Sequence, residues 1–293
     1  MYMLTFKIFT YQFSPLVSET TDLDTVLFAD AVISAPSVME HKQETFQALF
    51  KDDSGFFFSK GEMVYRHQML LNYNNIMVLR IANNKKIHQE ENFRVRELVN
   101  QPSSLVIIDN RKDCQTIAVQ CQPSSFSKPD QLAKIMESSF NAALKPSCLN
   151  VEIRGRIEGN TFWKIVDSHP EGIKSVRFEI SYPNLPRVSD NVDSLLKEAC
   201  KEFGANSKYE INAIQGQTLN LSRSSALLSG LVEASSNSGH PIKILAAGTH
   251  SRWISTQTDS AVFMEIAENK LTGEDDLFNG KYETVAQEMN RFK

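Results

Sequence analysis

Between Leu105 and Gln120 the chain reads LVIIDNRKDCQTIAVQ: an apolar run, a charged knot containing Asp109, Arg111, Lys112 and Asp113, then a second apolar run. Carboxylates beside cations at a strand end are what a metal-dependent phosphodiesterase uses, because acids hold a divalent cation and a lysine stabilises developing negative charge. The restriction-type nuclease arrangement also needs an acid-x-Lys on a later strand, and TIAVQ carries none. LVII and TIAV are rich in β-branched residues and similar in length, so the short Asp- and Asn-containing loop between them predicts a hairpin with a solvated tip.

A second group lies in two loops of the C-terminal half. NLSRSSALLSG follows the strand-like YEINAIQGQTL and opens a helix with Ser222, Arg223, Ser224 and Ser225 in its first turn. Free backbone N–H groups and the positive helix end attract anions there, and hydroxyls with an arginine add to that. After IKILAAG the chain turns through Thr249, His250, Ser251 and Arg252. If the two preceding strands are parallel, both loops leave from carboxyl ends, the edge where open α/β sheets bind ligands. Ser222, Arg223, Ser225, Thr249, His250 and Arg252 are therefore the candidate phosphate-binding residues. His250 is a possible acid or base without an orienting partner placed by the sequence, since Asp259 is near only in number. The bland reading of the serines is a routine helix cap.

The third feature is basic. Arg80, Lys85, Lys86, Arg94, Arg96, Arg111 and Lys112 face only Glu90, Glu91, Glu97 and Asp109 within the segment they span, in a chain whose net charge is −4. Such a concentration is a candidate nucleic-acid face, and its bland alternative is a solvated surface with pairs such as Glu90 and Arg94 at helical spacing. With a sequence pI of about 5.9, the whole chain supplies no general attraction for polyanions, so binding rests on that local patch.

Other signatures are missing. Neither G-x-x-x-x-G-K-S/T, G-x-G-x-x-G nor G-x-S-x-G occurs. Cys114, Cys121, Cys148 and Cys200 form no C-x-x-C, and the six histidines include no H-E-x-x-H and no pair four apart. No metal and no cofactor are expected, and reduced thiols fit a cytoplasmic protein.

The positioning elements follow from periodicity. LTFKIF, FQALF, GFFFSKG and NIMVLRIA read as strands, with a less certain apolar stretch at DTVLFADAVIS, and HQEENFRVRELVNQ reads as a short amphipathic helix carrying Phe93, Val95 and Leu98. QPSSFSKPD marks a boundary, after which DQLAKIMESSFNAALK has helical spacing with Asp130 at its cap and Pro146 past its end. CLNVEIRGRI, SVRFEISY, YEINAI, IKILAAG and AVFMEIAE then look like strands. The helical patterns NTFWKIVDS, SDNVDSLLKEACKEFG and SRSSALLSGLVEASSNSG separate the earlier ones, and YETVAQEMNRF closes the series. Strands alternating with helices predict some parallel pairing. In VEIRGRIEG and SVRFEISY charged and apolar residues alternate, giving one polar sheet face without the stacking aromatics of a sheet-type RNA reader.

The expected fold is α+β: a strand-rich N-terminal domain over 1–125, a linker and connecting helix over 126–146, and an α/β C-terminal domain with a mixed sheet over 147–293. An apolar content of 41% is ordinary for a globular chain. No run approaches the roughly 18 apolar residues of a membrane span, and no basic head precedes an apolar core as in a secretory signal, so no membrane insertion is expected. The organisation is similar to that of uncharacterised bacterial proteins found beside anti-phage genes, a likeness of layout that implies antiviral defence. The preferred function is a non-enzymatic cytoplasmic protein that binds nucleic acid, or a partner already on it, through the Arg80 to Lys112 region, with a protein partner or homo-oligomer as a further expectation. The alternative is an enzyme or sensor acting on a phosphate-bearing ligand at the 222–225 and 249–252 loops.

Overall fold

The computed structural model describes residues 2–16, 35–51, 54–91, 93–112, 114–180, 207–248, 252–257, 261–272 and 278–292. Its strands are β1 (Met3–Pro15), β2 (Phe58–Lys60), β3 (Met63–Tyr65), β4 (His67–Tyr73), β5 (Ile76–Ala82), β6 (Lys85–Glu91), β7 (Arg94–Asn100) and β8 (Ser103–Asp109). They continue as β9 (Thr116–Gln120), β10 (Leu149–Gly155), β11 (Ile173–Ile180), β12 (Ser207–Asn212), β13 (Lys243–Ala246), β14 (Ile254–Ser255) and β15 (Phe263–Ala267). The helices are α1 (Ala35–Glu40), α2 (Lys42–Ala48), α3 (Pro129–Leu144), α4 (Asn160–Asp167), α5 (Ala226–Asn237), α6 (Asn269–Thr272) and α7 (Phe278–Met289). Helices and many antiparallel strands in several sheets make this an α+β fold, as the sequence implies. Among the described residues no helix is long and apolar enough to cross a membrane.

The chain groups into two compact units, one of Met1–Lys7, Phe13–Ile153 and Met264–Lys293, the other of Ile8–Gln12 and Arg154–Phe263. This grouping is interleaved, whereas the sequence reading cuts the chain once between residues 126 and 146. Its physical basis is pairing: β15 adds to β1, at the opposite end of the sequence.

The first unit is built on a seven-stranded sheet in the order β10-β1-β9-β8-β5-β4, with β15 also on β1. Ile76, Met77, Val78 and Leu79 are consecutive and all buried, so both faces of β5 are covered, which explains a continuous apolar run in place of alternation. Helix α3 packs against β2 and β9, and α7 packs against β4 and β5. The β4–β5 turn places Asn74 and Asn75 both at positive φ, the pairing a two-residue hairpin requires.

FQALF, expected as a strand, lies in and just after α2. Phe46 and Phe50 are four residues apart and both buried, so one helical face delivers both rings to the core. There Phe140 of α3 meets Phe46 at 4.9 Å, and Phe56 and Phe58 at 5.7 Å each. GFFFSKG supplies β2, which pairs with β3 across a turn at Gly61. Asp130 is not the cap of α3. Pro129 occupies the first turn after Lys128, and Asp130 accepts hydrogen bonds from Lys7 at 2.7 and 2.8 Å.

The second unit holds the sheet β12-β11-β13-β14, whose described pairings are all antiparallel. Strands β12 and β13 do run in the same direction, but β11 lies between them and opposes both. Phe162 and Trp163 of α4 and Leu228, Leu231 and Val232 of α5 close over Val176, Phe178 and Ile244. The expected helix SDNVDSLLKEACKEFG and the stretch DTVLFADAVIS lie outside the described residues. Helix α5 ends in a complete left-handed cap: Gly239 has φ +72°, its N–H donates to the Ser236 carbonyl, and the His240 N–H donates to the Ser235 carbonyl.

Candidate functional site

The charged knot is a hairpin, with Ile108 opposite Ile117 and Asp109 opposite Thr116, but Asp109 and Asn110, expected in a solvated tip, are buried. The Asp109 side chain is 0% exposed. Arg111 folds back on it, donating from Nε to Oδ1 at 2.9 Å and from Nη2 to Oδ2 at 2.6 Å, while the Arg111 backbone N–H donates to Oδ1 at 3.1 Å. The hydrogen bond to Asp109 is the main cause that raises the Arg111 pKa above its ordinary value. Asn110 is equally buried and ties the turn down, its side-chain amide donating to the Gln43 carbonyl and its backbone N–H to the Asn75 carbonyl. A carboxylate clamped by a guanidinium is a structural ion pair. Asp113 lies outside the described residues. No cluster of three or more His, Cys, Asp or Glu able to hold a metal occurs among the described residues.

Lys42, a residue the sequence did not single out, stands beside this turn in charge terms. It is 9% exposed, its ammonium sits 5.9 Å from the centre of the Phe13 ring, and burial, helped by the charge of Lys112, lowers its pKa to about 8. No local signal marks it, because its burial is set by the tertiary fold and not by its neighbours in sequence.

The serine-rich loop is engaged by its own neighbours. Helix α5 begins after Ser225, whose hydroxyl accepts from the Leu228 N–H, so Ser222 and Ser224 precede the helix and hydrogen-bond to each other at 2.7 Å. Arg223 donates to Asp167 at 2.6 Å and lies over the Trp163 ring at 5.1 Å. Thr249 and His250 lie outside the described residues, and Arg252 is exposed with no described contact to Arg223.

The basic segment is where sequence and structure differ most. HQEENFRVRELVNQ is not a helix: β6 and β7 form an antiparallel ribbon, with Lys86 opposite Val99, Gln89 opposite Arg96 and Glu91 opposite Arg94. The Arg-Val-Arg alternation has the period of a strand, and that signal outranks the three-residue spacing of Val95 and Leu98. Among the described residues the ribbon is a two-stranded sheet of its own. The seven cations are spread over three elements. Arg80 stands in the seven-stranded sheet, Arg111 is bound to Asp109, and Lys112 is exposed in the β8–β9 turn. Lys85, Lys86, Arg94 and Arg96 share the ribbon, where Lys85 donates to the Ser124 carbonyl at 2.7 Å and Lys86 and Arg94 are exposed. Phe93 stands between the strands, 97% exposed, and Val99 is 76% exposed.

No known protein family, curated protein or solved structure matches the chain. Any functional reading therefore stands on this geometry, and the ribbon is its most distinctive surface feature: an extended arm carrying four cations against Glu90, Glu91 and Glu97.

Proposed function

We propose that the protein is a non-enzymatic nucleic-acid-associated protein whose contact element is the β6–β7 ribbon. The observation that supports this reading is the ribbon itself, a two-stranded antiparallel arm presenting exposed Lys86 and Arg94. Strands of seven residues reach about 20 Å, and a two-stranded ribbon fits the major groove of duplex DNA, about 12 Å wide. Cations on such an arm would contact phosphates, which positions the protein without reading sequence. The occupation of Asp109 by Arg111 and of Arg223 by Asp167 favours binding over catalysis, since both groups serve the fold. A cytoplasmic setting and a part in antiviral defence accord with this reading and rest on the sequence alone.

The test is fluorescence anisotropy with labelled duplex DNA, single-stranded DNA and RNA at low and moderate salt. Affinity should fall with salt at a slope of about −0.9 per phosphate contact on duplex. The double reversal Lys86→Glu with Arg94→Glu should weaken binding uniformly across sequences and flatten the slope by roughly 2. Absence of binding at low salt, or an unchanged slope in the double variant, refutes the reading.

A further inference from the structure

Phe93 combines two features that the fold does not need. Its backbone lies in the left-handed region at φ +59°, which a bulky side chain rarely adopts and which Asn or Gly would occupy more readily. Its ring is 97% exposed, so the residue gains no burial in return. Strain held at an exposed aromatic points to a role outside the folding of the chain. Arg94 follows it directly and is exposed as well, so an apolar ring and a cation stand together at the end of the arm.

We propose that Phe93 is a stacking wedge for a nucleobase, with Arg94 on the adjoining phosphate. This inference rests on the nucleic-acid reading above and names the part of the ligand that the tip takes. Every base offers a π-face to an aromatic ring, whether it comes from a single strand or from a duplex step that the ring pries open, and a cation beside the ring matches the phosphate that accompanies each base. The size of the apolar tip decides against a lipid surface. Among the described side chains of the arm the other exposed apolar residues are Leu98 and Val99, which stand opposite Ile87 and Lys86, toward its far end, so the described tip presents one ring, enough for one base and little for a bilayer.

The experiment uses the full chain with oligonucleotides containing 2-aminopurine, single-stranded and within a duplex, and with vesicles containing phosphatidylserine as a separate arm. Binding should change 2-aminopurine emission, and Phe93→Ala should abolish that change and weaken affinity by about tenfold while leaving the salt slope intact, because no phosphate contact is lost. Phe93→Asn suits the left-handed turn, so it should lose the same signal without lowering the unfolding midpoint, which separates loss of stacking from loss of fold. The single-stranded and duplex arms identify the source of the base. Salt-sensitive binding that Phe93→Ala and Phe93→Asn leave unchanged overturns the wedge and spares the nucleic-acid reading. No binding to any oligonucleotide overturns both, as does Phe93-dependent binding to vesicles alone.

Discussion

Replacing Asp109 by Asn tests whether the charged turn is a structural clamp. The carboxylate accepts from Arg111 Nε, Arg111 Nη2 and the Arg111 backbone N–H, and it is fully buried, while the Arg111 side chain is 22% exposed. Asparagine keeps one accepting oxygen, turns an NH2 toward a guanidinium donor and removes the only negative charge that the described contacts give Arg111. Breaking a buried pair from one side costs about 3 to 5 kcal/mol, and Asn retains part of the bonding, so a loss of about 3 kcal/mol is expected. Asp109→Leu with Arg111→Met leaves no uncompensated charge and should cost less than Asp109→Asn alone. Urea unfolding followed by far-UV circular dichroism measures both. Trp163 and Trp253 lie in the second unit, so their emission follows that unit separately. A cost below about 1 kcal/mol for Asp109→Asn, or a double variant as unstable as the sum of its single changes, refutes the clamp.

Three further outcomes are expected. Gly239→Ala should cost about 2 kcal/mol or more by urea titration, since the added Cβ would sit in the left-handed region, 2.9 Å from the Gly155 carbonyl oxygen and 2.6 Å from the Arg154 Cβ. Phe140→Ala should cost about 3 to 5 kcal/mol, as it empties the centre of a cluster that includes Phe46, Phe50, Phe56 and Phe58. Lys42 sets an alkaline effect: its folded pKa of about 8 is below the unfolded 10.5, so the unfolded chain binds more protons between those values and stability rises with pH across that window. In Lys42→Met that rise should shrink, and an identical pH profile in both proteins would show that Lys42 is not desolvated.

What was legible in the sequence was local. The β-branched runs of β5, β8 and β9 announced strands, and the periodicity of SRSSALLSGLVEASSNSG announced α5, while its start after Ser225 rather than at Ser222 depends on which hydroxyl accepts from the Leu228 N–H. The hairpin at Asp109 was legible too, while its burial was not. That burial depends on Gln43 and Asn75 approaching the turn from remote parts of the sequence. FQALF satisfied both periods, and only the core formed with Phe140 selects the helix. The ribbon is hard to read from sequence for a related reason: its seven-residue strands overlap in pattern with a short helix, and the deciding alternation spans only Arg94 to Arg96. The anion-site residues were legible as residue types, but Asp167 and Trp163, which hold Arg223, lie far away in sequence.

The pairing of β15 with β1 also sets an order of events during synthesis. Strand β1 is synthesised well before β15, so the backbone groups that β15 will bond stay open until Phe263–Ala267 emerge. During that interval the stretch of β1 that β15 will pair with is a template for wrong partners, and the long separation slows its closure. The second unit's segment from Arg154 to Phe263 is complete before that closure is possible. A nascent chain arrested before residue 263 should therefore hold a β1 open to protease where β15 will pair, and its protection should appear only when β15 is released.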